Sequence, residues 1–279
     1  MYDFEGTDAE GGPARERLPK PALLLTAAEV LRLSVEHSSS FLVDAVTPAR
    51  NEGDRRPVLV VPGFYATDAL THRLRSHLRK LGYHVHGWRL GRNYGLTDDL
   101  VDGLLDRFDD VHRQHGAPVS LVGWSFGGLL VRWLTHQRTD HVRQVVCLGS
   151  PWRPEGEVTR TTPLFHWAAE RHGLSDRARG IVHTSRQPLR VPCTAIYSKT
   201  EGIVNWRACT LDAGPLCENI AVPSSHTGLA ANPLALAALA DRLAQDPADP
   251  RPFDWRRCLR RAVLGDPARQ ATTAAKGAV

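Results

Sequence analysis

The chain has 279 residues, of which 42% are hydrophobic and 23% are charged, and its formal net charge is +5. These values are ordinary for a water-soluble globular protein, and the length suffices for one large domain with a full core. No stretch reaches the roughly 18 consecutive apolar residues of a membrane span.

The N-terminal region divides into a tail and a helical segment. Residues 1–20 are acidic and then rich in Gly, Pro and Arg, without the apolar core of a secretory signal, so we expect a flexible tail. Residues 21–50 contain an apolar stretch interrupted by Glu29, Arg32 and Glu36, which predicts amphipathic helix over residues 22–47, as one helix or two short ones. Docking on the domain is the first interpretation of this helix, and contact with a membrane surface is the second.

Short apolar runs then alternate with helical patterns. The runs predict strands at residues 58–61, 83–88, 119–122, 145–148, 194–197 and 219–222. Leucine and valine at helical spacing predict helices at residues 68–81, 97–115 and 233–245. We therefore expect an α/β fold with a mostly parallel, doubly wound sheet flanked by helices, in a domain over residues 51–265. Residues 152–190 interrupt the alternation as an insertion, and residues 266–279 form a C-terminal tail.

The third predicted strand leads into the sequence G-W-S-F-G at residues 123–127, and a stretch compatible with a helix follows. A strand that turns sharply into a helix at a serine lifts the serine Oγ clear of the backbone, at the positive end of the helix. Only glycines fit beside the serine in so tight a bend. The pattern predicts Ser125 as a nucleophile, and an ordinary glycine-rich turn is the alternative.

Acyl transfer by serine requires a base, an acid that orients the base, and donors for the oxyanion. Glu201 follows the strand at 194–197, and His226 follows the last strand in a loop of small residues. Their order along the chain, Ser then acid then His, is that of a known triad arrangement. The sequence therefore predicts a triad of Ser125, His226 and Glu201, with Asp212 as the fallback acid.

The remaining candidates surround this triad. Gly63 follows the first strand and lets its loop pass close to the nucleophile, so the N–H groups of Phe64 and Phe126 are the predicted oxyanion donors. A simple strand-ending turn is the alternative. The predicted substrate-binding residues are apolar or aromatic side chains near the nucleophile or in the insertion: Tyr65, Trp124, Trp152, Phe165, Trp167 and Ile203. Aromatic residues in the insertion serve equally well to attach it to the domain.

With these motifs in place, the chain resembles bacterial α/β-hydrolases of the esterase/lipase superfamily and is similar to the lipase class 2 and PGAP1-like proteins. The matching segments lie at residues 58–64, 91–95, 123–128, 148–151, 197–204 and 225–229. The resemblance implies the α/β-hydrolase fold, a cap at residues 152–190, and hydrolysis of carboxylic esters through an acyl-enzyme without metal or organic cofactor. Glu201 stands where these proteins usually carry Asp.

Three alternatives to ester hydrolysis remain open. The same triad would serve an acyltransferase or thioesterase, or an amidase or lactonase. An inactive binding protein is supported only by the glutamate at position 201. The expected partner is a small-molecule or lipid ester, with membrane contact through the N-terminal segment as an addition. Nucleic acid is not expected, because the basic cluster at residues 251–261 has few aromatic residues between its arginines.

Cysteine usage bears on the compartment. The chain has five cysteines and no C-x-x-C pair, which favours a reducing environment. Cys209 and Cys217 flank a turn and are close enough in sequence to be bridged. We therefore expect a cytoplasmic protein, either free or at the membrane periphery.

Overall fold

The computed structural model describes residues 19–46, 53–152 and 162–264, without the side chains of residues 40–46, 162, 163, 165 and 264. Of the predicted tails, residues 1–18 and 266–279 lie outside the described residues. The same holds for residues 153–161 at the start of the predicted cap.

One sheet of six strands organises the described part of the chain. The strands are β1 Pro57–Val61, β2 His84–Gly87, β3 Val119–Trp124, β4 Val142–Leu148, β5 Cys193–Tyr197 and β6 Cys217–Ala221. Their order is β2-β1-β3-β4-β5-β6, and each neighbouring pair is parallel. Strands β1, β3 and β5 are buried along their whole length, as strands covered on both faces are. The predicted doubly wound parallel sheet is confirmed.

Helices cover both faces of this sheet. They are α1 Leu23–Val46, α2 His72–Lys80, α3 Asp98–His115, α4 Phe126–Gln137, α5 Thr162–His172, α6 Ala178–Arg186, α7 Pro233–Ala244 and α8 Trp255–Leu264. Helices α3, α4 and α6 pack on one face, and α2 and α7 pack on the other. Local signals set the ends of α3. Thr97 accepts a hydrogen bond from the N–H of Leu100 at its start, and Gly116 ends it with φ 58°.

The single helix predicted at residues 68–81 is divided in the structure. Residues 68–71 form a 3₁₀ turn that precedes α2. The carboxylate of Asp68 accepts hydrogen bonds from the N–H groups of Trp88 and Arg89 after β2, which anchors this turn by a polar contact. In the single helix predicted from sequence, Leu70 and Leu74 share one face; in the structure Leu70 is 50% exposed, whereas Leu74 is fully buried. The tighter period of the 3₁₀ turn rotates Leu70 out of the apolar face.

The cysteines do not cross-link the fold. All five carry free thiols, so Cys209 and Cys217 are not bridged. Cys147 and Cys193 are buried in β4 and β5, where they pack as small apolar side chains.

The order of the strands reverses at β1, since β2 lies on one side of it and β3 to β6 lie on the other. Open parallel sheets bind ligands outside the carboxyl ends of their strands at such a point. The loops that follow β1 and β3 meet there. A Cβ atom built on Gly63 would lie 3.0 Å from the Cβ atom of Ser125. The topology therefore brings the predicted oxyanion loop next to the predicted nucleophile.

Candidate active site

Ser125 sits in a strained turn between β3 and α4. Its φ of 54° and ψ of −126° are rare for a residue with a side chain, and strain of this kind costs about 1–3 kcal/mol. Its N–H donates to the carbonyl of Leu148 in β4 at 2.8 Å. A Cβ atom on Gly127 would lie 2.3 Å from the carbonyl oxygen of Val61, so only glycine fits there. This is the strand-turn-helix elbow that the G-W-S-F-G sequence predicts.

The three predicted triad residues lie in one hydrogen-bonded series. His226 Nε2 is 2.9 Å from Ser125 Oγ, and His226 Nδ1 is hydrogen-bonded to Oε2 of Glu201. His226 is 5% exposed and Glu201 is 2% exposed, whereas Ser125 is half-buried. The indole N–H of Trp124 donates to the carbonyl of His226 at 3.1 Å. Asp212, the fallback acid, is exposed on the loop before β6.

Burial and charge act in opposite directions on the pKa of His226. Burial lowers the pKa of the imidazole, but the charge of Glu201 and its hydrogen bond together outweigh burial, so the pKa is raised above its ordinary value. The other carboxylate oxygen of Glu201, Oε1, is buried and has no hydrogen-bond partner among the described residues. Because little else solvates this carboxylate, its interaction is directed mainly at the imidazole.

The loop after β1 is held by Asn93, which is fully buried. The side-chain amide of Asn93 donates to the carbonyl of Pro62 at 2.9 Å. Its backbone carbonyl accepts from the N–H of Tyr65 at 2.6 Å, and its own N–H donates to the carbonyl of Ala66 at 2.9 Å. These three bonds fix the backbone of residues 62–66 beside Ser125. Sequence reasoning assigned no role to Asn93, although it lies in the segment 91–95 that carried part of the resemblance.

Aromatic side chains extend from the elbow to α5. The ring of Phe64 lies 6.0 Å from that of Phe126 and 6.3 Å from that of Tyr65. Tyr65 in turn lies 5.9 Å from Tyr94 and 6.2 Å from Trp167. We call these five residues the aromatic rim. Trp167 is its most open member, with 45% of its surface exposed.

Comparison with known proteins bears on the fold. No protein-family model matches the chain, and no curated protein sequence matches it. Among solved structures, Aspergillus fumigatus lipase B is similar with a TM-score of 0.55 and 16% identity, over 80% of this chain and 61% of that one. Bacillus licheniformis lipase BlEst2 in mature form is similar with a TM-score of 0.52 and 16% identity, over 68% of this chain and 92% of that one. The chain has the α/β-hydrolase fold.

Other predicted residues occupy different places in this α/β-hydrolase fold. Trp152 is 5% exposed, packs in the core beside α4 and α6, and donates its indole N–H to the carbonyl of Thr210. Ile203 packs against a small apolar cluster that includes Tyr197. The structure therefore does not bring Trp152 or Ile203 to the aromatic rim, because each is held by its own packing. The side chain of Phe165 lies outside the described residues.

Helix α1 contributes two buried glutamates that sequence reasoning treated only as interruptions of an apolar stretch. Glu29 accepts hydrogen bonds from the N–H groups of Gly202 and His226, and Glu36 accepts from the N–H of Ser225. The available signal was their spacing of seven residues, which places both on one face of a helix. The described residues include no cluster of His, Cys, Asp or Glu side chains that could hold a metal ion.

Proposed function

We propose that this protein is a serine hydrolase that cleaves carboxylic esters through an acyl-enzyme intermediate. Ser125 is the nucleophile, His226 is the general base, and Glu201 orients the imidazole and stabilises the imidazolium that forms. The observation that carries the proposal is the hydrogen-bonded series from the buried Glu201 through His226 to an Oγ atom held on a strained elbow. Backbone strain of this kind persists where the surrounding structure over-determines it, as at active sites.

In the proposed mechanism, His226 Nε2 takes the proton of Ser125 Oγ as Oγ attacks the ester carbonyl. Glu201 accepts the Nδ1–H bond throughout and stabilises the imidazolium. The N–H groups of Phe64 and Phe126 bind the oxyanion. The imidazolium then gives its proton to the departing alcohol. A water molecule, deprotonated by the same imidazole, releases the carboxylic acid and restores Ser125.

The aromatic rim supports a small-molecule or lipid ester with an apolar acyl or alcohol group, since charged groups gain little from such a surface. The six sequence segments that carry the resemblance favour the lipase class 2 and PGAP1-like proteins within the esterase/lipase superfamily. Acyl transfer or thioester cleavage by the same triad is the runner-up. Assays with an added alcohol acceptor and with acyl thioesters separate these activities from hydrolysis of oxygen esters.

The outer face of α1 supports an added proposal, namely peripheral contact with an anionic lipid surface. Its apolar side chains are 61–80% exposed: Leu23, Leu24, Val30, Leu31 and Val35. The two acidic residues at positions 29 and 36 face inward, so they do not repel anionic lipid. Arg32 of α1, which donates hydrogen bonds to Thr200, places positive charge beside this face. None of the described helices has the length and apolarity needed to cross a bilayer.

Flotation with lipid vesicles tests this contact. We expect binding to vesicles that contain phosphatidylserine, with weaker binding to pure phosphatidylcholine. The double variant Leu24→Gln/Leu31→Gln should float less, whereas Leu70→Gln, at an exposed leucine outside α1, should behave as wild type. Equal flotation of all three proteins would refute the role of α1.

Hydrolysis of p-nitrophenyl esters from acetyl to palmitoyl, by wild type beside Ser125→Ala, tests the catalytic proposal. We expect turnover by wild type that is lost in the variant, with both proteins folded, and a chain-length optimum that reports the size of the acyl site. A folded wild-type protein that neither turns over any ester nor reacts with a small fluorophosphonate would refute the proposal.

A further inference from the structure

We infer that Glu29 and Glu36 are positioning residues, through which α1 holds the loops that carry His226 and Glu201. This inference rests on the proposed function of those two residues. The N-terminal helix thereby supports the active site through two residues that neither touch substrate nor belong to the triad.

Glu29 binds the backbone beside the proposed base and the proposed acid at once. Its two carboxylate oxygens lie 3.1 Å and 2.9 Å from the backbone nitrogen of His226. The first of these oxygens also accepts from the N–H of Gly202 at 2.7 Å. Gly202 directly follows Glu201, so one carboxylate fixes the separation of the two loops. Glu29 is 7% exposed, and water therefore competes poorly for these bonds.

Glu36, two helical turns later, binds the start of the His226 loop. One carboxylate oxygen accepts from the N–H of Ser225 at 2.8 Å and from the side-chain amide of Asn232 at 3.2 Å. The other accepts from the hydroxyl of Ser225. A Cβ atom built on Gly228 would lie 1.6 Å from this second oxygen, so the carboxylate enters the loop where only glycine leaves room.

Further contacts attach α1 to the Glu201 loop. The hydroxyl of Thr26 donates to the carbonyl of Gly202 at 2.6 Å, and the guanidinium of Arg32 donates to Thr200. A Cβ atom on Gly202 would lie 2.4 Å from the carbonyl carbon of Leu25, which shows direct backbone-to-backbone packing. The buried N–H groups of both loops thus depend on acceptors supplied by a helix about 170–200 residues away in sequence.

Two effects on His226 follow from this arrangement. The Nε2 atom must stay within hydrogen-bond reach of Ser125, and a displacement of about 1 Å at such a position can cost about 10²-fold in rate. The charge of Glu29 also adds to that of Glu201 in raising the pKa of the imidazole. The groups that face His226 are Ser125 from the elbow, Glu201 from the acid loop and Glu29 from α1. The cation Arg32 acts on Glu201, where burial raises the pKa and Arg32 lowers it.

The variant Glu29→Gln tests the inference. Glutamine supplies one acceptor oxygen and an NH₂ group that opposes a backbone N–H, so we expect kcat to fall about 10²-fold with KM almost unchanged. Loss of the negative charge should also move the acidic limb of the kcat/KM profile to lower pH, which loss of packing alone would not do. Asp106→Asn, which removes an exposed carboxylate on α3, is the matched control and should behave as wild type. A wild-type kcat and pH profile in Glu29→Gln would overturn the inference.

A second variant and a second measurement keep the test independent of folding and of substrate. If Glu29→Gln unfolds, Glu36→Gln, which acts on Ser225, should show the same loss of kcat at unchanged KM, and wild-type kinetics there would overturn the inference. NMR titration of the His226 imidazole, assigned with His226→Asn, requires no turnover. If the protein hydrolyses no ester, a lower pKa of His226 in folded Glu29→Gln still supports the inference, and an unchanged pKa in that variant overturns it.

Discussion

Replacing Glu201 by Gln should remove the negative charge beside His226 Nδ1–H and replace one carboxylate oxygen by an NH₂ group, while keeping the size of the side chain. Glu201 is 2% exposed and its Oε1 has no partner among the described residues, so neither water nor another side chain stands ready to replace the carboxylate. With the new NH₂ group facing Nδ1, the imidazole is held with its proton on Nε2. In that tautomer Nε2 donates to Ser125 Oγ and cannot accept the Oγ proton.

The expected loss is about 10⁴-fold in kcat, as for the same acid-to-amide change in serine proteases. This corresponds to about 5.4 kcal/mol of transition-state stabilisation, at about 1.36 kcal/mol per factor of ten. KM should change little, because the side chain is buried behind His226 and away from the aromatic rim. Part of the loss is electrostatic, since the charge of Glu201 raises the pKa of His226.

The assay is steady-state hydrolysis of p-nitrophenyl butyrate, with the rate of fluorophosphonate labelling of Ser125 as a parallel readout. Both rates should fall together, and the melting temperature should show a folded variant. Asp212→Asn is the matched control, because it makes the same chemical change at the exposed fallback acid and should leave both rates near wild type. Activity within tenfold of wild type in Glu201→Gln would refute the reasoning, and a dead Asp212→Asn would move the acid to that residue.

Three further predictions concern the base, the oxyanion loop and the core. The protonated imidazole of His226 cannot accept the Oγ proton, so kcat/KM should fall on acidification. Because the pKa of His226 is raised, the midpoint of that fall should lie above the ordinary value of 6.5. A midpoint below 6.5 would contradict the effect assigned to the charge of Glu201. Gly63→Val should lower kcat about 10²–10³-fold by displacing the donor loop from Ser125, and wild-type rates would remove that loop from the site. Phe108 is fully buried on α3, so Phe108→Ala should lower the free energy of unfolding by about 3–5 kcal/mol in urea titrations. The kcat of the folded variant should not change. A loss of stability under about 1 kcal/mol would contradict the place of Phe108 in the core.

The sequence predicted the sheet because each strand is a short local run, and burial on both faces leaves the same apolar signature in each. It also predicted the elbow, since the bend at Ser125 requires glycines whose places are fixed relative to the serine. Glu201 and His226 followed from the order of the strands, because the carboxyl ends of parallel strands meet at one edge. Leu70 shows the limit of local reasoning, since it lies in a 3₁₀ turn, anchored through Asp68 to the end of β2, that the spacing of the leucines does not reveal.

Tertiary structure decided which distant residues support and surround the proposed triad. Glu29 and Glu36 lie 197 and 189 residues from the partners they bind at His226 and Ser225, and no local pattern encodes a contact over such a separation. Trp152 was a candidate for substrate binding because it is aromatic and begins the predicted insertion. It packs in the core instead, enclosed by residues that are near in space but distant in sequence. Periodicity and turn chemistry act over a few residues and are readable from the chain. The pairing of buried polar groups depends on where the folded backbone brings them.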